Sequence, residues 1–177
     1  MVASLAAAVR AEAGMSRERD PEEMLSSPQR EMAAGIGAVL GEFSVRYTET
    51  VENVGNEFWP AFHVATLPGS GLDVKIAIIT DSVHFHANEA EARFDWAAWN
   101  LDTARWINDV PAELRTLFRH DLRIRVRRTL FGHLTGAVWF PGASAGDGSW
   151  NGDRAATRGK GRERIFPKPW YVQKATR

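Results

Sequence analysis

Two histidines, His84 and His86, flank Phe85 in the segment Asp81-Ser82-Val83-His84-Phe85-His86. On an extended strand a spacing of two sends both imidazoles to the same side. Neutral imidazole is a ligand for zinc, iron and their neighbours. Asp81 is close enough in sequence to offer a third donor, and His63 would join the group if its segment paired with theirs. His63, Asp81, His84 and His86 are therefore the metal-ligand candidates, and a metal-dependent nuclease is the chemistry they would support. The bland alternative turns Phe85 inward and leaves both histidines facing solvent or a partner. Two ligands with an unplaced third do not complete a site, so no metal and no cofactor is assigned from the sequence. His120 and His133 are isolated and read as surface residues.

Arg115, Arg119, Arg123 and Arg127 recur at intervals of four, with Arg125 and Arg128 beside them. Such a stripe could track phosphates, and Arg162 and Arg164 could extend it. It could equally meet carboxylates on a neighbouring protein, and a formal net charge of zero favours that reading over nucleic acid. Asp147 to Asp153 has the oxygen-rich alternation and the glycine of a calcium loop. Its twelfth position, which should be a bidentate glutamate, is Arg158, so a turn cluster is the better account. Trp96, Trp99 and Trp106 are either core or a partner-facing patch. The sequence has no phosphate-binding glycine loop, no dinucleotide fingerprint, no nucleophile elbow and no His-Glu-x-x-His. An enzyme is accordingly the less favoured class.

These residues sit in a chain of 177 residues with 44% hydrophobic and 25% charged side chains and no cysteine, long enough for one sizeable core. The lack of cysteine suits a reducing compartment, and no run is apolar enough to cross a membrane, so a cytoplasmic protein is expected. The zero net charge hides a partition. Residues 1–103 hold 7 Lys and Arg against 16 Asp and Glu, and residues 104–177 hold 15 against 6. Minus nine thus faces plus nine, which the chain can match internally or by setting the basic surface of one copy on the acidic surface of the next.

Periodicity predicts the elements. Ser27 and Pro28 open a helix whose stripe of Met32, Ile36, Val39, Leu40, Phe43, Tyr47, Val51 and Val54 extends toward Asn56, although residues 44–51 also alternate as a strand does. Residues 62–67 and 74–80 form a hairpin across Pro68-Gly69-Ser70-Gly71. The apolar parity shifts after Ile78, which predicts a bend near Asp81 in one continuous strand. Asn88 and Glu91 have capping-box spacing for a helix over 89–108, apolar on two faces. A second helix restarts at Pro111 and carries the arginine stripe to Leu130, with a strand over 123–128 as its rival.

The closing segment, Arg158-Gly159-Lys160-Gly161-Arg162-Glu163-Arg164-Ile165-Phe166-Pro167-Lys168-Pro169-Trp170-Tyr171, resembles the basic Gly-Arg stretch and Pro-x-Pro-aromatic turn of tail-completion and neck proteins, the head-tail connectors of tailed bacteriophages. Where that family has Thr-Gly-x-Leu, this chain has Thr135-Gly136 followed by Ala137 and Val138. The resemblance implies a non-enzymatic ring subunit of a virion.

The expected fold is α+β: a hairpin or small antiparallel sheet packed by two or three helices. The expected organisation is an arm or short helix at 1–20, a core domain at 21–140 and an extended basic arm at 141–177. The arm holds eight basic and three acidic residues and too few aliphatics to fold alone. The expected function is a structural subunit of a homo-oligomeric assembly. Its contacts are assigned to Arg115, Arg119, Arg123, Arg127, Trp150, Arg162, Arg164, Trp170 and Tyr171. A nucleic-acid-binding protein or nuclease, and a small inhibitor or adaptor, are the alternatives.

Overall fold

The computed structural model describes residues 21–95, 103–129, 132–142, 148–158 and 161–172. The expected arm at 1–20, Trp96, Trp99 and the side chain of Trp106 lie outside them. After a 3-10 turn at Pro21–Met24, α1 runs Ser27–Glu42. Its cap is Ser26, one residue earlier than expected, and the Ser26 and Gln29 side chains satisfy each other's backbone N–H. Met32, Ile36, Val39 and Leu40 are its buried face. The helix does not reach Asn56. Phe43 caps it, Ser44 takes a left-handed φ of 53°, and the β-branched residues that follow form a strand.

Five strands follow as an antiparallel meander, β1 (Tyr47–Val54), β2 (Glu57–Val64), β3 (Val74–Ile79), β4 (Ser82–Ala87) and β5 (Ala90–Asp95), in that spatial order. The hairpin expected from residues 62–80 is the β2–β3 pair. The parity shift after Ile78 marks a reversal rather than a bend: Ile79 pairs with Ser82, and Thr80-Asp81 is the connecting turn. The proposed helix over 89–108 is likewise corrected. Ala87 pairs with Ala90 across Asn88-Glu89, and Asn88 has a φ of 53°. Asparagine suits a helix cap and a left-handed hairpin turn alike, so its type alone does not separate the two.

Helix α2 runs Thr103–Arg119 straight through Pro111. Proline removes one hydrogen bond and crowds the preceding turn. Here its ring packs on α1, where a Cβ on Gly35 would lie 3.1 Å from Pro111 Cγ. The arginine stripe is not one helix: α2 ends at Arg119, and β6 (Leu122–Arg128) follows as the rival strand reading had it. Four strands make the second antiparallel sheet, in the order β8 (Gly148–Gly152), β7 (Leu134–Pro141), β6 and β9 (Arg162–Phe166), with a short helix α3 at Arg154–Arg158. The fold is thus mixed α and β, with much more sheet than expected. No described helix is long and apolar enough to cross a membrane.

The extended arm is also corrected over 148–172. β8 and β9 are the two edges of the second sheet, and the chain then returns to the first. Leu67 N–H donates to Pro169 O at 2.8 Å, Tyr171 N–H to Ala65 O at 3.0 Å and Arg46 N–H to Tyr171 O at 2.9 Å. Trp170, only 5% exposed, packs at a tilt against Phe118, 4.4 Å between centroids. The segment gains through these backbone bonds and this ring the order its own composition does not supply. A single core results, in which α1, α2 and both sheets share Ile36, Phe62, Phe85, Phe94, Leu117, Ile124, Phe140 and Trp170. Trp170→Ala is therefore expected to cost about 3–5 kcal/mol, read from denaturant midpoints. A change below about 1 kcal/mol would mean that the segment is not part of the cooperative core.

Candidate functional site

The inward face of the first sheet is Val74, Ile76, Val83, Phe85, Ala92 and Phe94. Alternation therefore sends the intervening residues to the other face. One register row across that face reads Thr48, His63, Lys75, His86, Glu91, and the next reads Ala61, Ala77, His84, Arg93. Phe85 is inward as the sequence suggested. The histidines, however, are both partly buried, and their rings stack at 5.9 Å.

His84 Nδ1 lies 2.5 Å from Glu91 Oε1, and His84 Nε2 lies 3.0 Å from Ser82 Oγ. One ring nitrogen of His84, one of His86 and one oxygen of Glu91 all fall within 4.8 Å of one another. Burial lowers the His86 pKa; the positive charges of His84 and Lys75 push it the same way, against the opposing pull of Glu91 and Glu52. The connectivity Ser82–His84–Glu91 has the order of a hydrolase triad. Ser82 is 1% exposed, which denies a substrate access to its hydroxyl, so acyl transfer is not what this arrangement does.

Two of the four sequence candidates are thus brought together and two are not. Lys75 stands between His63 and His86 in the row. His63 turns instead to Glu52, 3.4 Å away, which also holds Lys75 Nζ at 2.7 Å. Asp81 is exposed in the β3–β4 turn. The third member is Glu91, hidden from the sequence reading because its segment was taken for a helix. The alternation of Ala90-Glu91-Ala92-Arg93-Phe94-Asp95 was the signal available for it.

Glu91 also lines a cleft of about 350 Å³ between β5 and the second sheet, with Arg93, Gly136 and Gly152 among its walls. The calcium-loop reading fails here, because Gly148–Gly152 is a strand. Asn151 spends its amide on β5, donating to Arg93 O and accepting from Arg93 N–H, both at 3.1 Å. Asp147 lies outside the described residues.

The sequence-assigned contact residues divide by environment. Arg115 Nε donates to Glu42 at 2.6 Å, and Arg119 reaches the same carboxylate at 3.4 Å. Arg123 and Arg127 are exposed on β6. Arg125 pairs with Glu163 at 2.5 Å and lies 4.1 Å over the Trp150 ring. Arg162 and Arg164 are exposed on β9, with Arg164 over Phe166. Trp150 is half-buried, Trp170 is in the core and Tyr171 is exposed. Comparison with family models, with curated proteins and with solved structures finds no match to this chain.

Hydrogen bonding and the charge of Arg115, with Arg119 behind it, hold the Glu42 carboxyl below its usual range. A depressed carboxylate adds stability above its unfolded pKa and loses it as pH falls through the folded one. The melting temperature of Glu42→Gln should lie slightly below the parent at pH 7 and converge with it toward pH 3. The gap should shrink in high salt, because the pair is exposed. A gap that persists at pH 3 would rule out the ionic origin.

Proposed function

We propose that the protein is a non-catalytic subunit of a repeating homomeric assembly, joined head to tail through the second sheet, in keeping with its resemblance to phage head-tail connectors. Residues 161–172 are ordered by contacts with their own chain, so a disordered arm no longer argues for a partner. The observation that carries the reading is the outer face of the second sheet. Trp150 pairs with Trp139 across β8 and β7, and Arg123 pairs with Ile165 across β6 and β9. Trp139 and Trp150 meet edge to face at 5.4 Å, and Ile165 is 54% exposed. Tryptophan and arginine are the residue types that dominate interface energetics. Beside this face, a groove of about 460 Å³ runs along Leu67, Ile165, Phe166, Pro167 and Pro169, with Ser70 and Arg164 as its polar members.

The occupant we assign is β1 of a second copy. Among the described residues β9 pairs only with β6 and β1 only with β2, so each presents an open edge to strand addition. Their net charges are opposite: β1 carries Glu49 and Glu52, the latter held by Lys75, and no cation, while β9 carries Arg162 and Arg164 on either side of Glu163, which Arg125 holds. Neither arginine has a carboxylate partner among the described residues. A contact between two different edges is heterologous and closes into a ring or extends as a filament. Light scattering at about 50 µM in low salt should give a mass well above the 19.7 kDa chain. Ile165→Asp and 1 M salt should each return it toward that value. A salt-independent monomer of the parent protein would overturn the proposal, as would an Ile165→Asp variant that assembles unchanged.

A further inference from the structure

We propose that His84, His86 and Glu91 form a binding site for one divalent cation of the zinc class, on the outer face of the first sheet and independent of the assembly surface. Three donors from two paired strands converge within 4.8 Å. Their placement is set by register, since His86 stands directly opposite Glu91 and His84 is two residues along the same strand. Sites on strands hold their geometry better than sites on loops. The donor set is two imidazoles and one carboxylate. Calcium and magnesium take oxygen ligands, whereas imidazole suits zinc, nickel, copper and iron.

A second observation is the support behind His84. A metal-bound histidine ordinarily has its other ring nitrogen fixed by a hydrogen bond, and Ser82, itself buried, provides that contact at 3.0 Å. The neighbouring cations are already matched. Lys75, opposite His86, is held by Glu52 at 2.7 Å, and Arg93, opposite His84, by Asp95 at 2.5 Å. Tetrahedral ligands about 2.0–2.1 Å from zinc stand roughly 3.3 Å apart. Entry of the ion therefore opens the 2.5 Å His84–Glu91 contact by less than about 1 Å, and the Glu91 side chain, 44% exposed, can swing that far. Three protein ligands leave a fourth position for water or a ligand, beside the cleft that Glu91 lines.

Calorimetric titration of the chelator-treated full chain with ZnCl2 should show one equivalent bound. His86→Ala and Glu91→Gln should each weaken it at least tenfold. His63→Ala, on the same face beyond Lys75, should leave it unchanged. Cobalt(II) should give visible absorption from a site of low coordination number, lost in Glu91→Gln. Should His86→Ala unfold, Glu91→Gln, altered at an exposed side chain, decides alone. Absence of saturable one-equivalent binding by the parent protein would overturn the site. So would zinc binding that survives Glu91→Gln or is lost equally in His63→Ala.

Discussion

The free edge of β5 is closed by a side chain. A sheet edge leaves N–H and C=O groups that must find partners once another layer covers them. Here the two Arg93 backbone groups are met by the Asn151 amide, which presents an N–H and a C=O side by side as a peptide unit does. That contact requires near-touching backbones. A Cβ on Gly136 would lie 2.4 Å from Ala90 Cα, and one on Gly152 would lie 2.3 Å from Glu91 O. With both positions bare, the second sheet seats against β5, and Phe140 meets Phe94 edge to face at 5.2 Å. The merged core and the cleft beside Glu91 both follow from this seam.

How far the sequence exposes such a structure depends on the range of the interactions. The β2–β3 hairpin, the start of α1 and the inward Phe85 were legible because apolar alternation and turn chemistry are local. Asn88 misled because one residue type serves two backbone states, and the alternation of residues 90–95 was outweighed by a capping pattern three residues long. The four-residue spacing of Arg115 to Arg127 carried across a helix end because the apolar residues beside it, Leu114, Phe118 and Leu122, are all core whether the chain coils or extends. Asn151 and Gly136 had no local signature at all. Their roles exist only through contacts with β5, far away in sequence.

The charge partition follows the same logic. Opposite charge at the two ends of a chain does not say whether it is matched within one molecule, and the structure shows both situations. Glu42 draws Arg115 and Arg119 across from α2, and Glu163 holds Arg125 within the second sheet. Arg162 and Arg164 lie on an edge strand with no ion pair to a carboxylate among the described residues, so an electrostatic bias survives along that strand.

The candidate metal ligands show why composition alone could not complete the site. His84 and His86 were visible as a pair because a strand repeats every two residues. Their third partner had to come from the neighbouring strand, whose register is fixed by the two-residue turn at Asn88-Glu89. A one-residue slip would put Glu91 on the inward face and Ala90 outside. The left-handed Asn88 prevents that slip, and its side chain is anchored in turn, accepting from Asp73 N–H at 2.7 Å and donating to Gly71 O at 2.9 Å. A turn residue that touches none of the three donors thus decides whether they meet.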